Sequence, residues 1–222
     1  MARTRFSVER LENPDESFVQ EAADIMASVL DKDDFSIALT GRDTSLLPLL
    51  ARAMIGGTAL VPGMADVFVA TDDSGRLIGF LVCVLPGKLL FSTQASRAYG
   101  YYAYAEHPQL DPRASALFKN AFAKIPLEAN FPAKELEATS YYVNLAMVRA
   151  EAQGQGVASA LFALAFARAH ELRAPRIALI ATNEHNVAIY RRIGLEVVRE
   201  ARLETPFNAC RFWYLARTIG AA

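Results

Sequence analysis

Two short stretches of this sequence hold residue types whose spacing suits chemistry on a phosphate-bearing ligand. The first is Gln153-Gly154-Gln155-Gly156-Val157-Ala158, followed by Ser159. Glycines let a backbone approach a ligand with no side chain in the way. A helix starting at such a turn offers unpaired N–H groups and the positive end of its dipole to phosphate oxygens. The same turn is also how a strand joins a helix tightly with no ligand at all. The second stretch runs from Asn183 to Leu195 and carries Asn183, Asn186 and Tyr190. Side-chain amides donate and accept hydrogen bonds, and a phenol beside a reacting bond can hand a proton to a departing group. Tyr190 also fits a plainer role, as a core tyrosine at the end of an amphipathic helix.

Other chemistry has no pattern to stand on. No HExxH or paired-cysteine spacing points to a metal, and no Gly-x-Ser-x-Gly or P-loop occurs. His170 falls in the last turn of a long helical pattern, where a cation suits the dipole. His185 sits between the two asparagines, and both histidines read as structural or surface residues. A dinucleotide-dependent oxidoreductase is a poor fit. Its third glycine is missing, the turn comes late in the chain, and no acidic residue ends the following strand.

The elements that must position these stretches follow from periodicity. Tyr141 to Val148 reads as a buried strand, Gly156 to about Leu172 as a long apolar helix, and Arg176 to Thr182 as a second buried strand. A strand, helix and strand of these lengths make a right-handed crossover, so the two strands are expected to be parallel. A short helix from about Val187 to Ile193 stops at Gly194, and Leu195–Leu203 with Cys210–Ala216 forms a closing antiparallel pair. Upstream, Thr4 to Leu11 alternates as a strand. Asn13-Pro14-Asp15-Glu16 reads as a helix start capped by Asn13. A second helix starts near Asp43 or Ser45 and stops at Gly56-Gly57. Asp66–Thr71 and Leu77–Leu85 form a hairpin around Asp72-Asp73-Ser74-Gly75-Arg76. Asp31-Lys32-Asp33-Asp34 reads as a charged loop. Between Phe91 and Thr139 the pattern is least regular. It holds the aromatic run Tyr99 to Tyr104, a helix starting at Asp111-Pro112 with Ala114, Phe118, Ala121, Phe122 and Ile125 on one face, and a loop marked by Pro126 and Pro132.

With 222 residues, 53% apolar and 21% charged, the chain can bury a core without disulfides. A formal net charge of -1 and no basic run argue against nucleic acid. The longest apolar run, Leu77 to Leu85, is too short to span a bilayer. Cys83 and Cys210 read as free buried thiols of a reducing compartment, and with no signal peptide at the start the expectation is cytoplasmic.

Both motifs, in register with these elements, resemble the GCN5-related N-acetyltransferase (GNAT) superfamily. That family writes its first motif Arg/Gln-x-x-Gly-x-Gly/Ala, matched by Gln153 to Ala158. Its usual Val-x-Pro-Glu lead-in is here Val148-Arg149-Ala150-Glu151, with alanine for proline. Its second motif, Asn then Tyr-x-x-x-Gly-Phe, is matched from Asn183 to Leu195 with leucine for phenylalanine. The resemblance implies an α/β fold: a mixed, mostly antiparallel sheet of about seven strands with helices on both faces. Residues 1–222 would form a single acyltransferase domain. It would have four family helices, an extra helix near Asp111 to Ile125, and a variable helical insertion at about 91–139, before the central strand.

The resemblance also implies acetyl-CoA as co-substrate and no metal. Backbone amides of Gln153, Gly154, Gln155, Gly156, Val157 and Ala158, with the Ser159 hydroxyl, would hold the pyrophosphate of coenzyme A. The pantetheine arm would run along a splayed strand at Asn144 to Val148, thus at Ala146, Met147 and Val148, and meet Asn183 and Asn186. Tyr190 would act as general acid, and a strand N–H near Met147 would face the oxyanion. The general base is left open among Glu106, Tyr142, Glu137 and His107. The implied reaction is direct acetyl transfer to a primary amine, of a small molecule in this reading. The alternative is a non-catalytic acyl-CoA sensor or interaction module on the same fold. Acceptor contacts would come from Leu30–Arg42, Phe91–Thr139 and Glu204–Ala209, in a monomer or homodimer.

Overall fold

The computed structural model describes residues 5–123 and 138–220. Among these residues seven strands form one sheet: β1 (Phe6–Leu11), β2 (Ala65–Asp72), β3 (Leu77–Val84), β4 (Tyr141–Val148), β5 (Arg176–Ala181), β6 (Glu196–Glu204) and β7 (Ala209–Thr218). Their spatial order is β1-β2-β3-β4-β5-β7-β6. Every pairing is antiparallel except β4 with β5, which is parallel as the crossover requires.

Residues of β3 alternate between two cores. Leu77, Phe80, Val82 and Val84 face one, while Ile78, Leu81 and Cys83 face the other. A strand covered on both faces reads as a continuous apolar run, which explains Leu77 to Leu85. The first core is covered by α1 (Glu16–Val29), α2 (Asp34–Leu39), α3 (Leu47–Ala59), α5 (Tyr101–Ala105) and α6 (Pro112–Ala123). The short α4 (Gln94–Ala98) precedes α5 and packs on α3. The second core is covered by α7 (Val157–Glu171) and α8 (Glu184–Ile193). Helices thus lie on both faces of the sheet.

The hairpin between β2 and β3 forms where its turn residues demand it. The Asp72 carboxylate accepts from the Ser74 and Arg76 N–H groups, at 2.9 and 3.1 Å. Both cysteines are free and buried.

Four expectations need correction. Helix α1 is capped by Asp15, whose carboxylate accepts from Phe18 N at 2.9 Å, and not by Asn13; Pro14 lies before the helix. The charged stretch before residue 35 leads into α2, because Asp33 caps it by accepting from Ser36 N at 2.8 Å. Gly56 and Gly57 do not stop α3, which runs on to Ala59. They are there for close packing: a Cβ at Gly57 would come within 2.5 Å of the Phe91 ring. The irregular region holds α4 and α5 as well as α6, so it contributes more helices than the single extra one expected. Ile125, Pro126 and Pro132 lie outside the described residues.

The aromatic run is core on one side and surface on the other. Tyr101 and Tyr104 are buried with ring centroids 5.0 and 4.8 Å from Phe118, and the Tyr104 hydroxyl donates to Leu39 O at 2.9 Å. Tyr99 and Tyr102 are exposed. These rings fasten α5 and α6 onto the body of the protein.

Candidate active site

The parallel pairing of β4 with β5 stops early. Tyr141, Tyr142 and Val143 have partners in β5, and Asn144 to Val148 have none there. On its other side β4 stays paired with β3, but the register jumps across Asn144: Val82 faces Leu145 while Cys83 faces Val143. Asn144 is therefore a bulge residue, and a bulge bends its strand and increases local twist. Meanwhile β5 follows β7 in unbroken register to Ala181 opposite Trp213. The two parallel strands part, leaving a fork with an open strand edge at residues 144–148. Ala146 and Val148 are half-buried there and belong to the α7 side, while Met147 is buried towards the opposite core.

Directly beyond this open edge lies the glycine turn. Gly154 has φ +74° and Gly156 φ +92°, left-handed values that favour glycine. Gly156 is the residue before α7, and no side chain caps this helix. Its first turn, Val157 to Ser159, therefore presents N–H groups with no capping side chain. Gln153 turns its amide back, Nε2 donating to Val148 O at 3.0 Å, and Gln155 Nε2 donates to Glu151 O at 2.8 Å. These bonds brace the turn, so the two glutamine side chains serve its shape. The exposed Ser159 hydroxyl sits in the first turn of α7.

Two residues to which the sequence reading gave no role of their own position this turn. Arg149 ties it to β3: its backbone N donates to Ile78 O at 2.9 Å and its Nε to Leu77 O at 2.7 Å. Gly79 of β3 lets α7 sit down on the sheet, since a Cβ there would stand 3.1 Å from Val157 Cγ1 and 3.0 Å from Met147 O. A glycine inside a strand often marks such a close approach, a signal available from the Leu77–Leu85 run.

The second motif stands at the end of the other prong. Asn183 caps α8, its Oδ1 accepting from His185 N at 2.8 Å, which leaves the amide NH2 as the group able to donate outward. Asn186 is half-buried in the first turn of α8. Tyr190 lies one turn on, its ring centroid 5.7 Å from that of Phe162 in α7. Its hydroxyl makes no hydrogen bond among the described residues, and burial pushes its pKa up to about 12. The phenol thus keeps its proton at neutral pH and has a donor to spare.

The structure brings Ala146 to Val148, Gln153 to Ser159, Asn183 and Asn186 to the same ends of β4 and β5, with Tyr190 against α7. The base candidates are scattered. Tyr142 is buried on β4 two residues before the bulge. Glu106 is exposed beyond α5, and the His107 ring nitrogen accepts from Gln109 N at 3.4 Å. Glu137 lies outside the described residues. His170 and His185 are both exposed. Among the described residues no cluster of three or more His, Cys, Asp or Glu could hold a metal, and no helix is long and apolar enough to cross a membrane.

Residues 121–195 match the model of the family described as Acetyltransferase (GNAT) family. No curated protein sequence matches this chain significantly. Among solved structures, the chain is similar to one described as histone acetyltransferase HPA2 and related acetyltransferase from Corynebacterium glutamicum, with a TM-score of 0.62 and 18% identity over 97% of both chains. It is similar to the ribosomal-protein-S18-alanine N-acetyltransferase of Escherichia coli, with a TM-score of 0.56 and 12% identity over 98% of this chain and 96% of that one. It also resembles Arabidopsis thaliana NAA60 in complex with a bisubstrate analogue, with a TM-score of 0.55 and 11% identity over 98% of this chain and 100% of the other. At these identities the likeness is one of fold.

Proposed function

We propose that this chain, which carries a GNAT acetyltransferase domain over a GNAT fold, is an acetyl-CoA-dependent N-acetyltransferase acting on the primary amine of a small molecule. The observation that carries this reading is the fork: an open strand edge at residues 144–148 running straight into an uncapped helix N-terminus at Val157. An extended amide-bearing arm can pair along the first, and an anion suits the second.

Acetyl-CoA supplies an activated acyl group as a thioester. The first turn of α7 would hold its pyrophosphate, and the edge of β4 at Ala146, Met147 and Val148 would orient its arm. Asn183 and Asn186 would donate from the opposite prong. Strand N–H groups near Met147 would face the carbonyl oxygen as charge develops there. The neutral amine would attack the carbonyl carbon and the C–S bond would break; Tyr190 would give its phenolic proton to the leaving thiolate, and the proton shed by the amine nitrogen would pass to solvent and return the phenol to its starting state. The unpartnered Tyr190 hydroxyl favours an enzyme over a passive acyl-CoA sensor, which has no use for a proton donor at that place.

We also take residues 1–222 as one domain with 91–139 as an insertion. The reason is packing, since α4 and α5 lie on α3, and α6 lies on α2 and α5. A monomer or homodimer in the cytoplasm is the setting this reading assumes.

The test is a calorimetric titration of the purified protein with acetyl-CoA, with NADH as the control. Micromolar binding of acetyl-CoA alone is expected. Heat from neither ligand would reduce the glycine turn to a tight connection, and the proposal would fall.

A further inference from the structure

From Val143 to Val148 the strand β4 carries a single polar side chain, that of Asn144. Asn144 has no partner residue on β3, where the register skips it, and none on β5, where the pairing has already ended. Tyr142 and Leu145 both face the core on the α1 side, and Val143 faces the other. The one extra residue, Asn144, is what carries Leu145 across to the α1 side.

The carboxamide of Asn144 is unsatisfied. Its Nδ2 is shielded from solvent and makes no hydrogen bond among the described residues, while the residue as a whole is half-buried. Asparagine is depleted in strands, and a buried donor with no acceptor lowers stability. Leucine has the same branching and would bring no such cost. A carboxamide kept for the fold has its NH2 bonded, as Asn208 does by donating through Nδ2 to Asp34 O at 2.8 Å. That of Asn144 has an acceptor still to meet.

Its place says which acceptor. The glycine turn follows Val148, so an arm whose phosphates sit at Val157 runs back along the open edge from Val148. Its far end then lies at Asn144, the apex of the fork. In acetyl-CoA the far end is the thioester. We propose that Asn144 Nδ2 donates to the thioester carbonyl oxygen, beside the strand N–H groups, and steadies the negative charge this oxygen takes up as the amine attacks. This rests on the acetyl-transfer reading. The χ2 torsion of an asparagine is broad, so the NH2 can follow a carbonyl that enters the edge. Shielding from water strengthens the bond. Asn144 gives up no proton: the oxygen's electron pair re-forms the C=O bond as the C–S bond breaks, and the amide stays neutral throughout.

Two variants of the full-length protein test this. Asn144→Leu removes every polar atom of the side chain, and Asn144→Asp keeps the shape while removing the NH2. Without ligand, Asn144→Leu is expected to melt at or above wild type. Each protein is then titrated with acetyl-CoA and with CoA, which has the same arm and no carbonyl. Both variants should lose about fivefold or more in acetyl-CoA affinity relative to CoA. Infrared spectra with acetyl-CoA carrying 13C at the carbonyl read the bond itself. In wild type the bound carbonyl should absorb at lower frequency than the free one, and in both variants it should move back towards the free value. A wild-type band at the free position, or one lowered equally in both variants, would overturn the proposal. So would an Asn144→Leu protein that melts lower and keeps the wild-type band, since the carboxamide would then serve the fold. Wild type that binds neither acetyl-CoA nor CoA would remove the transfer reading together with this one, whereas binding with an unshifted carbonyl removes this one alone.

Discussion

Gly79 of β3 lies beneath Val157, the first residue of α7, so closely that a Cβ on Gly79 would stand 3.1 Å from Val157 Cγ1. On the same side it would stand 3.0 Å from the backbone oxygen of Met147, which cannot swing away. Gly79→Val should therefore lift the first turn of α7 off the sheet. The expected outcome is a loss of acetyl-CoA affinity of about tenfold or more, with a destabilisation of roughly 1–3 kcal/mol from overpacking. Calorimetry and thermal melting read the two effects. A variant that melts lower yet binds acetyl-CoA normally would show that Gly79 seats the helix without setting the ligand site.

The two glycines of the turn should respond differently. Gly156 immediately precedes α7 with φ +92°, and Gly156→Arg strains the backbone and sets a long side chain where the phosphates would lie. Acetyl-CoA binding is expected to vanish. Gly154 has φ +74° with nothing within 4 Å of a built Cβ, so Gly154→Asn, a residue tolerant of left-handed backbone, should bind acetyl-CoA within about threefold of wild type. Undiminished affinity in Gly156→Arg would count heavily against the anion site.

Tyr190→Phe keeps the ring that packs on Phe162 and removes only the hydroxyl. Turnover on an accepted amine should fall by roughly a hundredfold, with acetyl-CoA affinity nearly unchanged. Unaltered turnover would take Tyr190 out of the mechanism. Burial raises the Tyr190 pKa from an ordinary value near 10 to about 12, so wild-type kcat should show no decline from this group until the pH nears 12. The same shift has a sign for stability. Between pH 10 and 12 the unfolded chain has lost this proton while the folded one retains it, so stability from Tyr190 is full below pH 10 and is lost as pH rises through about 12. Tyr190→Phe should melt less steeply with pH over that window.

Asp66 joins four elements at the far end of α7. Its carboxylate accepts from the buried Tyr141 hydroxyl at 2.8 Å, from Arg168 Nε at 3.0 Å and from Arg10 at 3.4 Å. Asp66→Ala takes the carboxylate acceptor from the Tyr141 hydroxyl inside the core and leaves it only the Cys83 thiol, which should destabilise by about 2 kcal/mol, or roughly 4–8 °C in Tm. Asp66→Asn keeps an acceptor and should lose less. Acetyl-CoA affinity should hardly move, because the network lies at the opposite end of α7 from the turn. An Asp66→Ala protein melting with wild type would show that these partners find water instead.

What the sequence alone determined is what local spacing carries. Gln153 to Ala158 marks a strand-to-helix turn because glycine suits left-handed backbone best. The strand–helix–strand length from Tyr141 to Ala181 makes β4 and β5 parallel, since so long a crossover closes no other way. Tyr190 stands four residues before Gly194, and that glycine ends α8 at φ +97°. Elsewhere local spacing misled. Gly56 and Gly57 look like a helix stop until Tyr99 and Phe91, more than thirty residues away, are seen lying on them, Tyr99 on the first and Phe91 on the second. The six-residue α2 is too short to stand alone. It exists because Ser36, Ala38 and Leu39 are buried against the rest of the protein. The tertiary structure alone decided the bulge at Asn144, the passage of β7 between β5 and β6, and hence the fork. It also decided that Arg42 and Arg113 both meet Phe207, across most of the chain. A period of 2 or 3.6 tells each residue which face it belongs to, but only the non-local pairing of strands decides which faces meet and where two neighbours part.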